Sequence, residues 1–202
     1  AGSIDEYNGT TGVAHVLEHM MFKETKNLKV GEFSETVAAL GGRDNAFTSR
    51  DYTAYFQQLQ AKDLSKVMAL EADRMANLIL SESEFEKEIK VVMEERRYRT
   101  DDKATGKLYE AFMATAFMAN PTRTPVIGWM SDLEAMTYKD ARKWYDTWYT
   151  PQNAVLVVVG DVQPAQVKTM AEKTYGKVKP KKLEERKPQE EPKQEGIRRV
   201  QV

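Results

Sequence analysis

The stretch Gly12-Val-Ala-His-Val-Leu-Glu-His-Met-Met21 decides how the rest of this sequence is interpreted. Its apolar residues predict a buried helix over residues 12–22. Residues three and four apart lie on the same side of a helix, so Glu18 and His19 share one polar stripe with His15. Two imidazoles and a carboxylate on an otherwise apolar helix are costly to bury unless a partner satisfies them. The pattern therefore predicts that this stripe binds a metal ion.

The numbers of histidines and cysteines limit the kinds of metal site that this chain can form. The 202 residues include two histidines and no cysteine, which excludes disulfides, thiol catalysis and metal ligation through cysteine sulfur. Neutral imidazoles combined with a carboxylate are donors that suit zinc. We expect one Zn²⁺ per chain, bound by His15, His19 and an Asp or Glu from elsewhere. Glu18 is then free to act as general base on a water molecule.

The third ligand is expected on the predicted helix Glu84–Arg99. The apolar residues Phe85, Ile89 and Val92 define the buried face of this helix. Its glutamates offer several candidate ligands: Glu84, Glu86, Glu88, Glu94 and Glu95.

The helical period separates these glutamates. Glu94 falls opposite the apolar face, beside lysines, and is expected to be a solvated surface charge. Glu88 and Glu95 are two turns apart and flank the apolar face together. Because a carboxylate at the edge of a buried face can reach inward, we expect Glu95 to be the ligand and Glu88 to orient or balance the site. Glu94 remains the alternative ligand.

The pattern along the whole chain predicts an α+β domain, with helices packed on a mostly antiparallel sheet. Segments rich in Thr and aromatic residues predict strands at residues 45–49 and 52–60. The Val-rich run 153–159 predicts a strand that is covered on both faces. Further helices are predicted over residues 31–40, 63–80, from Ser81 or Ser83 to about Arg99, near 104–119, over 138–148 and over 164–175.

The charge balance and the hydrophobic pattern argue against two classes of partner. Thirty Lys and Arg residues against 31 Asp and Glu residues leave a net charge of −1, which gives no case for nucleic-acid binding. No apolar run approaches the ~18 residues needed to span a bilayer, so no membrane span is expected.

The two ends of the chain predict a piece of a larger protein. Residues 1–179 are expected to form the zinc-binding catalytic domain. Residues 180–196 contain three prolines and no aromatic residue, which predicts a charged, exposed linker. Residues 197–202 alternate like the start of a strand and predict a truncated following module. With no initiator Met and no visible signal peptide, we expect the true N-terminus to be absent.

The spacing His15-x-x-Glu18-His19 is the inverted zinc-peptidase motif. With the residues around it, the chain resembles the pitrilysin family, which includes insulysin and the mitochondrial processing peptidase. It is most similar to bacterial members of the processing-peptidase branch. The resemblance covers Gly2-Ser3, Asp5-Glu6, Gly12 to Thr25, Gly41-Gly42, Asn45 to Thr48, Asp51 to Tyr55, Glu86-Lys-Glu88, Val91 to Glu95 and Gly160-Asp161.

The resemblance implies a zinc metalloendopeptidase with a processing-peptidase-like fold. It implies that His15, His19 and Glu95 bind the zinc ion and that Glu18 activates water. It also gives Glu88 a supporting acidic role. A bacterial member of this family is expected in the periplasm or the cytoplasm, and nothing in the sequence decides between the two.

The resemblance also implies how the substrate is held. In the family, the strand that matches Asn45, Ala46, Phe47 and Thr48 accepts an extended peptide as an added β-strand. Family members use a second homologous half, in the same chain or as another subunit, whose Arg/Tyr pair steadies the carbonyl oxygen of the scissile bond. Nothing in this chain matches that pair, and the strand that normally precedes Gly2 is missing. We therefore expect this chain alone to be inactive or weak.

Two alternatives remain open at this point. The family includes non-catalytic assembly or peptide-binding subunits in which the zinc motif has decayed, although all motif positions are intact here. A zinc hydrolase that acts on a non-peptide amide is the second alternative, and only the strand at residues 45–48 argues against it.

Overall fold

The computed structural model describes residues 1–183 and 185–202, which form eight α-helices and one two-stranded antiparallel sheet. The α-helices and strands are α1 Val13–Met20, α2 Glu32–Ala39, β1 Arg43–Thr48, β2 Thr53–Gln58, α3 Leu64–Asn77, α4 Glu82–Arg96, α5 Ala104–Ala116, α6 Met130–Ala135, α7 Tyr138–Trp148 and α8 Pro164–Lys173. Short 3₁₀ turns occur at Ser3–Asp5, Ala61–Asp63, Pro121–Arg123, Pro151–Asn153 and Tyr175–Lys177. The predicted α+β class, with helices packed on an antiparallel sheet, is confirmed.

The hairpin of β1 and β2 has a register that sets two threonines opposite each other. The pairing runs from Arg43 opposite Gln58 to Thr48 opposite Thr53. The chain start holds the connecting turn, because the backbone N–H of Ser3 donates to the carbonyl oxygen of Ser49 over 3.2 Å. The end of β1 is thereby fixed beside α1, which packs against both strands.

Helix α1 lies at the centre of the main hydrophobic core. Ala14, Val16, Leu17 and Met20 are completely buried. The core around them is built from α4, α6 and α7, which contribute Phe85, Ile89, Val92, Leu133, Trp144, Tyr145 and Trp148. The apolar face predicted for α4 therefore faces α1. The core covers the apolar sides of α1. The polar stripe of α1 therefore faces the one side that the core does not cover.

The start of α1 is held by a tight backbone approach and a carboxylate. Gly12 precedes the helix at a φ of 87°, and a Cβ on it would lie 2.5 Å from the carbonyl oxygen of Ile127. The carboxyl oxygens of Glu6 accept hydrogen bonds from the backbone N–H groups of Gly12 and Ala14, over 2.8 and 2.9 Å. Glu6 is half-buried as a residue, but its carboxyl group is enclosed, and this burial raises its pKa to about 8.

Replacing Glu6 by Gln is expected to flatten the pH dependence of stability. The folded protein holds the Glu6 proton up to about pH 8, whereas an unperturbed carboxyl ionises near 4.5. As pH rises, the unfolded state therefore releases this proton first. Below the pKa of Glu6 in the unfolded state, its protonated side chain makes its full contribution to the free energy of unfolding. Between the two pKa values the free energy of unfolding falls, by up to about 1.4 kcal/mol per pH unit.

Urea unfolding at about pH 5 and about pH 8 measures this slope. The Glu6→Gln variant should lose less stability over that interval than the wild-type protein does. Glu134→Gln, on the exposed surface of α6, is the matched control and should keep the wild-type slope. A wild-type slope in Glu6→Gln would contradict the assignment.

The predicted strand at residues 153–159 is wrong. Asn153 ends a 3₁₀ turn, and residues 154–159 have no regular secondary structure and pair with no strand among the described residues. Val155, Val157 and Val159 are 90%, 74% and 92% exposed. A valine-rich run forms a buried strand only where neighbouring strands supply hydrogen bonds and other layers cover both faces. Within the described part of the chain, β1 and β2 pair only with each other.

Other boundaries shift by a few residues. Helix α7 spans the predicted range, and Ser81 rather than Ser83 precedes α4. The helix expected to run to about Arg99 ends at Arg96 and passes into a π-helical turn over Arg97–Asp101. Helix α6 was not predicted, because its six residues are too short to show a helical period.

The segment predicted as a linker, 180–196, contains neither helix nor strand in its described residues, and residue 184 lies outside them. The segment contacts the domain at several points. The backbone N–H of Lys181 donates to the Thr150 hydroxyl over 3.1 Å, and Arg186 pairs with Asp5 over 2.8 Å. The carboxylate of Glu191 accepts the backbone N–H groups of Met118, Ala119 and Asn120 over 2.7 to 2.9 Å. The domain division at residues 179 and 196 stays a prediction. Across the described chain, no helix has the length and apolar character needed to cross a membrane.

Candidate metal centre

The polar stripe of α1 faces one carboxylate of α4. Glu95 Oε2 lies 3.7 Å from His15 Nε2 and 3.3 Å from His19 Nε2. One donor atom from each of the three residues lies within 4.8 Å of the other two. The packing of α1 on α4 through their apolar faces produces this arrangement, since it turns the edge of α4 that carries Glu95 toward the two histidines.

The donor set and its spacing fit a zinc ion. Zinc bonds to imidazole nitrogen and carboxylate oxygen of about 2.0–2.2 Å, in tetrahedral directions, separate the donors by about 3.3 Å. The two measured separations from Glu95 to the histidines, 3.3 and 3.7 Å, are close to that value. The same three residues leave room for a further ligand, because they supply three donors of a four-coordinate shell.

Burial and charge favour an uncharged imidazole at His15. Burial, with the neighbouring His19, lowers the pKa of His15 to about 4, and only Glu95 acts in the opposite direction. An imidazole must be neutral to bind a metal. His15 is therefore in the form that a ligand requires at neutral pH. Its Nδ1 atom is buried and has no hydrogen-bond partner within the described part of the chain.

A second carboxylate of α4 contacts the outer nitrogen of His19. His19 Nδ1 donates to Glu88 Oε1 over 2.8 Å, and the other oxygen of Glu88 lies 2.6 Å from the ammonium of Lys23. The hydrogen bond from His19 lowers the pKa of Glu88 to about 2. Burial alone would lower the pKa of His19, but hydrogen bonds to Glu88 and Glu95 raise it to about 9. The two carboxylates thus favour positive charge at this position, which a proton on His19 supplies without a metal and a metal ion at its Nε2 would supply in place of that proton.

Glu18 points from the same helix toward the hairpin. Its Oε2 accepts a hydrogen bond of 2.5 Å from the hydroxyl of Thr48 at the end of β1. Burial raises the pKa of Glu18, and the Thr48 hydrogen bond partly opposes that shift. Glu18 is therefore beside the three donor residues but bonded elsewhere.

The two adjacent glutamates of α4 differ in their exposure and in their partners. The side chain of Glu94 is 70% exposed and pairs with Arg97, whereas that of Glu95 is 19% exposed. Glu95 also receives an ion pair of 2.8 Å from Arg99. The spacing of Arg99, four residues after Glu95, is a signal from which this pair could have been predicted. No sequence pattern pointed to Lys23 as the partner of Glu88.

The strand expected to receive a substrate lines the same cleft as the metal-binding stripe. The cleft has a volume of about 540 Å³ and is open to solvent. Its walls include all four residues of that strand and the four residues of the stripe and its partner: Asn45, Ala46, Phe47, Thr48, His15, Glu18, His19 and Glu95. The structure therefore brings the predicted residues together, except Glu88, which lies behind His19.

Comparisons with known protein families cover nearly the whole chain. The family model described as Insulinase (Peptidase family M16) matches residues 1–128. The model described as Peptidase M16 inactive domain matches residues 135–202. The first match contains every residue placed at the candidate metal centre.

Curated relatives carry names that refer to zinc and proteolysis. The zinc protease PqqE of Helicobacter pylori is 42% identical over 205 residues, which is 100% of this chain and 46% of the relative. An uncharacterized zinc protease of Mycobacterium leprae is 33% identical over 87% of this chain and 39% of the relative. The chain thus spans about half the length of the curated relatives it matches.

Solved structures share the fold. The crystal structure of a protease from Helicobacter pylori is 42% identical, with a TM-score of 0.95 over 98% of this chain and 48% of that one. The first half of the periplasmic protease PqqL from Escherichia coli is 28% identical, with a TM-score of 0.82 over 93% of this chain and 41% of that one. Pitrilysin, 22% identical with a TM-score of 0.78, shares the fold alone.

Proposed function

The chain belongs to the insulinase family of peptidases, peptidase family M16, and on this basis we propose that it is the zinc-binding half of a metalloendopeptidase. The family assignment confirms the pitrilysin-like resemblance found in the motifs. The proposed reaction is hydrolysis of a peptide bond in an extended polypeptide.

The observation that carries the proposal is the convergence of His15, His19 and Glu95, with one donor atom from each within 4.8 Å of the others. These three residues would hold one Zn²⁺. When bound, zinc supplies Lewis-acid polarisation of the carbonyl and of a water molecule. Glu88, hydrogen-bonded to the outer nitrogen of His19, would fix the orientation of that ring, a role that such outer partners commonly have.

Glu18 is the proposed general base. Its carboxylate takes a proton from the attacking water as the water oxygen bonds to the carbonyl carbon. It then delivers that proton to the amine nitrogen as the carbon–nitrogen bond breaks. This role requires a carboxylate next to the ligands that is not itself a ligand, and Glu18 lies beside the three donors with its Oε2 bonded to Thr48.

The substrate is proposed to bind along β1. This strand pairs with β2 on one side, and its residues Asn45 to Thr48 line the cleft that contains the metal centre. A peptide added to the free edge would gain main-chain hydrogen bonds independent of its sequence. Extended or unfolded peptides are therefore the proposed substrate class.

Full activity is proposed to require a second homologous half. The curated relatives are about twice as long as this chain, and a neighbour from Escherichia coli is described as the first half of a periplasmic protease. The second half would be supplied in the same polypeptide or as another subunit. The compartment of that neighbour favours the periplasm over the cytoplasm for this protein.

The alternative is a non-catalytic assembly or peptide-binding subunit. The match of residues 135–202 to a family model described as an inactive domain favours it. Such a subunit would bind zinc but would not cleave peptides, whereas the first proposal predicts both.

Metal removal tests the proposed function. The full-length protein should contain one zinc per site and cleave a denatured protein, and a zinc chelator should reduce cleavage at least a hundredfold until zinc is restored. Cleavage that persists in the metal-free protein would refute the zinc mechanism. Stoichiometric zinc with no cleavage would favour the non-catalytic subunit, and hydrolysis confined to small non-peptide amides would exclude a peptidase.

A further inference from the structure

Two threonine hydroxyls form a short series of hydrogen bonds that starts at Glu18. The Thr48 hydroxyl lies 2.5 Å from Glu18 Oε2, and the hydroxyls of Thr48 and Thr53 are 3.2 Å apart. The register of the hairpin causes this arrangement, because Thr48 and Thr53 are the directly opposed pair nearest the turn. Directly opposed residues on one face of an antiparallel pair bring their Cβ atoms within about 4.5–5.5 Å.

The direction of both hydrogen bonds follows from the proposed role of Glu18, because a general base must be ionised before it takes a proton. An ionised carboxylate can only accept, so the single proton of the Thr48 hydroxyl is committed to Glu18. Thr48 can then only accept from Thr53, which donates. Each hydroxyl is therefore held in one orientation, and the bond to the carboxylate is of the stronger, charge-assisted kind.

Beyond Thr53, the series of hydroxyl groups continues to two buried tyrosine side chains. The hydroxyls of Tyr55 and Tyr149 are 2.6 Å apart, and burial raises the pKa of both. The hydroxyl of Thr53 also contacts the Tyr149 phenol, and since its own proton goes to Thr48, it accepts there. The two tyrosines are therefore neutral at physiological pH, and they support the hairpin without adding a charge beside Glu18.

We propose that Thr48 is a positioning residue for the general base, held in turn by Thr53. This inference rests on the proposed function, since it assigns a task to Thr48 only if Glu18 acts as base. With Oε2 fixed by Thr48, the carboxylate cannot rotate freely, and its other oxygen is left for the attacking water. The side chain of Thr48 thus acts on the base, whereas its backbone belongs to the proposed peptide-binding strand.

The two roles of Thr48 predict different kinetic effects. Loss of a positioning hydrogen bond lowers kcat, while loss of a contact with bound peptide raises KM. Val has the shape of Thr without the hydroxyl, so Thr48→Val in the full-length protein should lower kcat by about tenfold to a hundredfold. KM should change less than twofold, and zinc content should stay unchanged. Thr48→Ser, which keeps the hydroxyl, should recover most of the lost kcat.

Thr53→Val extends the test to the next member of the chain. It should lower kcat in the same direction but by less than Thr48→Val, and Thr53→Ser should restore it. Thr169→Val on the exposed surface of α8 is the matched control and should behave as wild-type. Thermal unfolding of each variant identifies any that fails to fold, and the serine variants then carry the comparison.

Several results would overturn the inference and leave the proposed function intact. These are a wild-type kcat in Thr48→Val, a change confined to KM, and no recovery in Thr48→Ser. The two proposals fail separately. A wild-type protein that binds zinc but cleaves nothing refutes the proposed function, whereas an active protein that needs Glu18 but is insensitive to Thr48→Val refutes only the positioning role.

Discussion

Replacing Glu18 by Gln is expected to lower kcat by about a thousandfold while zinc stays bound. A general base contributes about 10²- to 10⁴-fold to the rate, and an amide cannot take the proton of the attacking water. Gln has nearly the same shape as Glu, and its carbonyl oxygen can still accept from the Thr48 hydroxyl. The three donor residues, His15, His19 and Glu95, are untouched by this change.

The measurement compares kcat on a denatured protein substrate with zinc content for the same preparation. Glu86→Gln is the matched control, because Glu86 is exposed on α4 and lies outside the cleft. It should retain wild-type values for both quantities. Turnover retained in Glu18→Gln would remove Glu18 as the base. Loss of zinc in that variant would instead make Glu18 a ligand.

Replacing Glu95 by Gln is expected to weaken zinc binding by more than about a hundredfold. Removal of an outer partner of a zinc ligand typically costs 10- to 100-fold in affinity, and loss of an anionic donor itself should cost more. The neutral amide removes the charge that lies 3.3 Å from His19 and 3.7 Å from His15. Competition with a chromophoric chelator measures the affinity without depending on peptidase activity.

Glu94→Gln provides the sharpest control for this variant. The two glutamates are adjacent in sequence and identical in chemistry, but Glu94 is on the solvent side of α4 and pairs with Arg97. Its zinc affinity should remain within twofold of wild-type. A loss of zinc in Glu94→Gln together with normal binding in Glu95→Gln would show that the helical-face argument chose the wrong residue.

The candidate site is largely a product of two helical patterns, which explains why much of it could be predicted. The order of apolar residues on α1 and α4 determines which sides of these helices pack together. The packing then places the polar edge of one helix against that of the other. The structure accordingly sets Glu95 beside His15 and His19 and Glu88 behind His19, while their roles stay proposals.

The contacts that were not predicted depend on segments with no period of their own. Lys23 reaches Glu88 from the turn after α1, and Thr48 reaches Glu18 from the end of β1. In both cases the position of a loop or hairpin relative to a helix decides the contact. Tertiary packing sets that position, which therefore cannot be predicted from the spacing of residues along a single helix or strand.

The wrong strand at residues 153–159 has a related cause. Composition records the tendency of valines to adopt an extended backbone and to prefer burial. It does not record whether a neighbouring strand is present to accept the hydrogen bonds. The exposure of Val155, Val157 and Val159 follows from the absence of a partner strand among the described residues.

The most direct test of the central claim is an anomalous difference map at the zinc edge, from crystals of the full-length protein loaded with zinc. We predict a single strong peak in the cleft, at about 2.0–2.2 Å from Nε2 of His15, Nε2 of His19 and a carboxylate oxygen of Glu95. The Glu18 carboxylate should lie beside the peak without bonding to it. A peak bonded to other residues, or no peak at these three donors in a zinc-loaded crystal, would contradict the account.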